Sequence, residues 1–142
     1  MTTAVSPPHF SAVREFPSAT ADEAIAYFEG KLRLEVDPAD VHFDREKGIR
    51  DFVIIDTRSK EDYDREHIPG AISLPHRQMN DQTTSHLPKD QVMVTYCWGL
   101  HCNGSTKGAL RLARLGFRVK ELASGIQGWK EDGFATESDR KK

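Results

Sequence analysis

Two short unbroken apolar runs stand out along the chain, Phe52-Val53-Ile54-Ile55 and Val92-Met93-Val94-Thr95-Tyr96, each bounded by polar residues. Runs of that length predict strands buried on both faces of a parallel sheet. Leu32, Leu34 and Val36 alternate with Lys31, Arg33 and Glu35 and predict a further strand. Ala71 to Leu74 predicts a brief one that Pro75 ends, and Phe117, Val119 and Leu122 predict the last. Helical signals fall between them. Thr20 and Glu23 have capping-box spacing, and Ala24, Ile25, Tyr27 and Phe28 supply an apolar face up to Gly30. Asp37-Pro38 opens a helix to about Lys47, and Ser59 with Asp62 opens a short one. Residues 77–87 are polar with one helical turn. Ala109, Leu112, Ala113 and Gly116 keep helical spacing over Ser105 to Leu115, with Gly116 as the C-terminal stop, and Ile126 to Trp129 is a short helix. Residues 1–17, with Pro7, Pro8 and Pro17, read as an irregular arm, 18–136 as one domain, and 137–142 as a charged tail expected to fray.

Strands alternating with helices predict an α/β domain with a mainly parallel sheet and right-handed crossovers. Ligands in such folds sit beyond the carboxyl ends of the strands. The two strongest strands deliver Asp56-Thr57-Arg58 and Cys97 to that edge, so function is sought there. Composition narrows the classes. A chain of 142 residues has room for one core, and 37% hydrophobic with 30% charged residues excludes a disordered polymer. A formal net charge of −2 provides no field to recruit nucleic acid or an anionic membrane, and neither partner is expected. The opening MTTAVSPPHF lacks a basic and an apolar targeting segment, and no run reaches the ~20 apolar residues of a membrane span, so the expected location is cytoplasmic. Two cysteines, Cys97 and Cys102, are too few for a secreted disulfide framework and in a reducing compartment suggest chemistry.

Cys97 ends a strand, the loop Trp98, Gly99, Leu100, His101, Cys102, Asn103, Gly104 follows, and a helix begins near Ser105. Backbone N–H groups of such a loop, with the positive end of the helix dipole, favour an anion at one point. A thiol there has its pKa lowered toward thiolate, and a persulfide or an attacking oxyanion is stabilised by the same donors. The competing reading is a small buried hydrophobe at a strand end.

Four blocks in order change the balance: Asp56-Thr57-Arg58, Glu66-His67-Ile68-Pro69-Gly70-Ala71-Ile72, Thr95-Tyr96-Cys97 with its glycine-bearing loop, and Ser124-Gly125-Ile126-Gln127-Gly128-Trp129. Together they resemble the rhodanese family, over residues 53–129. The resemblance implies a three-layer α/β sandwich around a five-stranded, mainly parallel sheet. It also implies a catalytic cysteine that carries a persulfide from a small anionic donor such as thiosulfate to cyanide or a thiol, without a cofactor or metal. By position Cys97 is then the nucleophile and Trp98 to Gly104 the anion cradle. The family comparison makes Asp56 and Arg58 braces of the site and His67 part of a loop-shaping block, and Trp129 is expected to pack beneath the site loop because a tryptophan in a small domain is usually core or near-core.

Two departures from the family pattern bear on the reaction. The loop has no arginine and is about two residues longer, so basic help is lacking or comes from His101 or Lys107. A longer loop resembles related phosphatases and arsenate reductases, which makes such a thiol-dependent enzyme the runner-up. The second departure is Cys102, which resembles the second loop cysteine of a variant group. Two roles stay open for it: attack on a Cys97 persulfide or sulfenate, leaving a disulfide, or a passive small residue. The pair also permits a non-enzymatic redox or persulfide sensor. Zinc is disfavoured, because two cysteines and His101 do not complete four ligands. Lys107, Arg111, Arg114 and Arg118 form one helical stripe, read as solvated, with Lys107 the candidate for anion attraction. His76 and Arg77, after Pro75, are candidate substrate contacts.

Overall fold

The computed structural model describes residues 9–139, so the first half of the predicted irregular arm and the last three residues of the tail lie outside the described residues. The chain divides into two units, residues 1–31 and 32–142. Helix α1 (Ala21–Leu34) begins in the first and ends in the second, with the expected capping box at its start, Thr20 Oγ1 accepting from Glu23 N–H at 3.2 Å.

The rest of the second unit is built on a four-stranded parallel sheet. Its strands are β1 (Phe52–Asp56), β2 (Ile72–Ser73), β3 (Val92–Tyr96) and β4 (Arg118–Leu122), in the spatial order β2-β1-β3-β4. Asp56 aligns with Ser73 and Tyr96, and Tyr96 with Leu122, so all four carboxyl ends reach one edge. The crossovers are α3 (Lys60–Arg65), a 3-10 turn at His76–Gln78 and α4 (Gly104–Arg114), while α2 (Pro38–Glu46) precedes the sheet and α5 (Gly125–Glu131) follows it.

Alternation along β1 and β3 divides the core into two layers. Ile54, Val94 and Tyr96 pack with Val41 of α2 and Ile126 and Trp129 of α5, whereas Ile55 and Met93 pack with Leu112 of α4, Met79 and Phe117. Helices cover both faces, so the three-layer α/β class expected from the sequence is present. Local signals place the ends of elements as expected: Asp37 caps α2 by accepting from Asp40 N–H at 2.9 Å, and Ser59 caps α3 by accepting from Asp62 N–H at 3.1 Å.

The expected strand count needs correction, from five to four among the described residues. Residues 32–34 continue α1 through Gly30, and only one bridge, Glu35 beside Glu121, marks the place of a fifth strand, where Val36 N–H donates to Glu121 O at 3.0 Å. The reason is burial. Leu32 and Leu34 are 73% and 60% exposed, so no apolar face rewards a strand, and Lys31, Leu32 and Arg33 are all good helix formers. Arg118 likewise leaves the predicted helical stripe and begins β4. Within the described part of the tail, Glu137 N–H donates to His67 O at 2.9 Å, His67 N–H returns to Glu137 O at 2.8 Å, and Asp139 N–H donates to Asp64 O at 2.9 Å. Among the described residues no helix is long and apolar enough to cross a membrane.

Candidate active site

The strand order reverses direction between β1 and β3, and open parallel sheets bind ligands at such a switch point. Thr57 and Arg58 leave β1 there, and Cys97 leaves β3 beside them. Their ends are tied together, because Thr57 N–H donates to Tyr96 O at 3.0 Å and Thr57 Oγ1 donates to the same oxygen at 2.8 Å.

Beneath this edge lies a buried polar brace. Asp56 is fully buried and accepts from Arg58 N–H at 2.9 Å, from Arg58 Nε at 3.0 Å, from Arg58 Nη2 at 2.7 Å and from the Tyr96 hydroxyl at 2.7 Å. Tyr96 in turn accepts from Ile68 N–H at 3.1 Å, and Arg58 Nη2 reaches Glu66 O at 2.5 Å. Burial alone disfavours the Arg58 cation, but the hydrogen bonds and charge of Asp56 outweigh it and raise its pKa. Burial, with the Asp56 charge, also pushes the Tyr96 phenol well above its ordinary range, so it stays protonated and donates. The Arg58 guanidinium lies 4.3 Å from the centre of the Trp98 ring, which links the brace to the cysteine loop.

Cys97 is 4% exposed and is joined to Cys102 by a disulfide, with the two Cα atoms 6.3 Å apart. The loop reaches this closure by turning on itself, Cys102 N–H donating to Gly99 O at 3.1 Å. That hydrogen bond removes one donor from the expected anion cradle. Gly104 opens α4 against the sulfurs: a Cβ there would stand 3.0 Å from Cys97 Sγ and 3.6 Å from Cys102 Sγ. The start of α4 is pinned to β4, because Ser105 and Thr106 both donate to Glu121 Oε2 at 2.6 Å. On the other side α5 grips the loop's first carbonyls, Ile126 N–H donating to Cys97 O at 3.0 Å and Gln127 N–H to Trp98 O at 2.9 Å.

A cavity of about 470 Å³ opens over the disulfide. Cys97, Trp98, Cys102, Asn103 and Gly104 form one wall, and Arg58, His76 and Lys107 from the sequence reading line it as well. Asp56 does not, since it lies below in the brace. Gly99, Leu100 and His101 point the loop elsewhere. Leu100 and His101 border a second cavity of about 580 Å³ that also includes Cys102. Of the two candidates for basic help, Lys107 is therefore at the Cys97 cavity and His101 is not. Arg77 lines it too, and so does Lys60, which the sequence reading missed. The capping of α3 by Ser59 was the available signal, because it fixes Lys60 at the start of that helix, one step from the β1 edge. Arg111 donates through Nη1 to His76 O at 2.5 Å, so this member of the basic stripe has a structural partner. Trp129 is buried beside α2, with Nε1 donating to Ala135 O at 2.8 Å. His67 is buried and stacked on Tyr63, its Nδ1 2.7 Å from Tyr63 O.

His76 Nδ1 is buried without a hydrogen-bond partner among the described residues. Burial, and then Arg111, Arg77 and Lys107, hold its pKa below the ordinary 6.5. The folded chain therefore binds that proton less readily than the unfolded chain, and stability falls as pH drops below 6.5. The loss of Tm between about pH 7.5 and about pH 5.5 is expected to be smaller in His76→Gln than in the wild type. Equal losses would remove His76 from the account.

The doubly covered parallel sheet thus carries Cys97 at its switch point, with Lys60, Arg77 and Lys107 lining the same cavity. The chain belongs to the family of rhodanese-like domains, whose family model matches residues 39–132. It is 32% identical over 82 residues to the thiosulfate sulfurtransferase GlpE of Coxiella burnetii, covering 57% of this chain and 74% of that protein. It is 36% identical over 91 residues to the HTH-type transcriptional regulator Rv0324 of Mycobacterium tuberculosis, covering 63% of this chain but only 38% of the regulator. Among solved structures, the BH2092 protein of Bacillus halodurans superposes with a TM-score of 0.82 at 43% identity, covering 84% of this chain and 88% of that one. The family is of the sulfurtransferase type, and the fold expected from the sequence is the fold of these neighbours.

Proposed function

We propose that the chain is a sulfurtransferase in which reduced Cys97 takes a sulfane sulfur from a small anionic donor, thiosulfate or a relative of it, and passes it to a thiol or cyanide. The observation that carries this reading is the place of Cys97 in the wall of a cavity that also holds Arg77 and Lys107, beside Asp62 and a Lys60 that is paired with Asp64. Those cations raise the local concentration of an anion, and the N-terminus of α4 adds the positive end of its dipole. The Cys97 thiolate attacks the outer sulfur of thiosulfate, the S–S bond breaks, and sulfite leaves with the electron pair. The outer sulfur of the resulting persulfide is then surrendered to the acceptor. Arg58 and Asp56 position the loop through Trp98 rather than react.

After reduction of the disulfide, thiocyanate formation from thiosulfate and cyanide is expected in the wild type and to fall about 10³-fold or more in Cys97→Ser. Equal rates would sink the reading. The Cys97–Cys102 disulfide also suits a thiol-dependent arsenate reductase, in which reduction of the oxyanion leaves that bond behind. Turnover of arsenate, with none of thiosulfate, would put this second reading first.

A further inference from the structure

Resting on the transferase reading, we infer that Cys102 is a resolving cysteine and that the chain reduces the transferred sulfur to hydrosulfide at the expense of a dithiol. The two sulfurs are not merely near each other, since they are bonded across a loop whose own turn holds Cys102 back toward the strand end. Gly104 leaves room for both, whereas any side chain there would crowd Cys97 Sγ. Two thiols so placed make an intramolecular attack faster than one from a free acceptor.

The step balances. The Cys102 thiol, losing its proton, attacks Cys97 Sγ, the inner sulfur of the persulfide anion, and the new bond is the Cys97–Cys102 bond of the structure. The bond between the inner and outer sulfurs breaks, its electron pair stays with the outer sulfur, and that sulfur takes up the proton and departs as hydrosulfide. The sulfane sulfur gains two electrons and the two cysteines lose two. A dithiol then reopens the disulfide and becomes a disulfide itself. Over the cycle, thiosulfate and a dithiol become sulfite, sulfide and an oxidised dithiol.

The two cavities separate the two reactants. Cys97 borders only the cation-lined one, but Cys102 also borders the second, with Leu100, His101, Thr106 and Glu121. Cys102 is half-buried and Cys97 is buried. A dithiol arriving from the second cavity meets Cys102 Sγ and expels the Cys97 thiolate, which regenerates the nucleophile toward the donor cavity.

The test is a single turnover of the full chain, reduced with dithiothreitol, freed of it anaerobically and given excess thiosulfate without an acceptor. The wild type is expected to release one sulfite and one hydrosulfide per chain and to end two hydrogens lighter than the reduced protein. Cys102→Ser and Cys102→Ala are expected to release sulfite alone and to end one sulfur heavier, and to make thiocyanate when cyanide is added. A wild type that keeps the added sulfur as the variants do, or that releases hydrosulfide with both cysteines still reduced, overturns the inference and leaves the transferase reading standing. No sulfite and no added sulfur on any of the three overturns the transferase reading and the inference together.

Discussion

Asp56→Ala is expected to lower the unfolding free energy by about 3–5 kcal/mol, the usual cost of removing one partner from a buried ion pair. The carboxylate is fully buried and accepts from three groups of Arg58 and from the Tyr96 hydroxyl. Without it the Arg58 cation, 4% exposed, loses its hydrogen-bonded counter-charge and keeps only the weaker field of Asp62, and its Nη1 already lacks a hydrogen-bond partner among the described residues. The Tyr96 hydroxyl loses its acceptor as well. Against a typical total of about 5–15 kcal/mol, the loss approaches the limit of folding. Urea denaturation measures it: the midpoint falls and the slope does not change. Because the cost lies in the stranded charge, Asp56→Leu with Arg58→Met is expected to recover part of it, which identifies the origin as electrostatic rather than a matter of volume. A loss below about 1 kcal/mol in Asp56→Ala would mean that the brace does not hold the site edge.

The brace also explains what could be read from the chain and what could not. β1 and β3 were legible because a run of apolar residues has one stable solution, burial on both faces, and the residues that follow such strands in a parallel sheet reach one edge. That is why the chain alone places Cys97 and Asp56-Thr57-Arg58 together. Residues 32–36 were not legible, because three alternating apolar residues fit a strand and a helix alike and burial decides between them. Cations at the cavity were legible only in part. Lys107 follows from the direction of α4, but Lys60 depends on how α3 leaves β1, and Arg77 on the turn after Pro75. Distances of that kind are set by tertiary packing, not by spacing along the chain. The sequence showed Cys102 five residues from Cys97, and only the turn at Gly99 decides that the two sulfurs meet.

Gly125→Ala is the second large effect expected, and it acts on the site through the backbone. Gly125 has φ +64, in the left-handed region, and a Cβ there would lie 2.5 Å from Cys97 O and 2.6 Å from the carbonyl carbon and oxygen of Trp98. Those atoms are main chain and cannot swing aside. They are also the carbonyls that accept from Ile126 and Gln127 N–H, so relief of the clash pulls α5 off the loop and breaks both hydrogen bonds. The left-handed conformation costs about 1–2 kcal/mol for a residue with a Cβ, and each lost hydrogen bond about 1 kcal/mol, for a total of about 3–4 kcal/mol. Gly133 is the internal control. It has φ +85 with nothing within 4 Å of its would-be Cβ, so Gly133→Ala carries the conformational cost of about 1–2 kcal/mol alone. The difference between the two variants in urea midpoint isolates the grip of α5 on the Cys97 carbonyl. Thiocyanate formation, measured where both variants are folded, is expected to fall in Gly125→Ala and to hold in Gly133→Ala, because only the first moves the strand end that presents the sulfur. Equal stability and equal rates in the two would show that Cys97 is positioned from the β3 side alone.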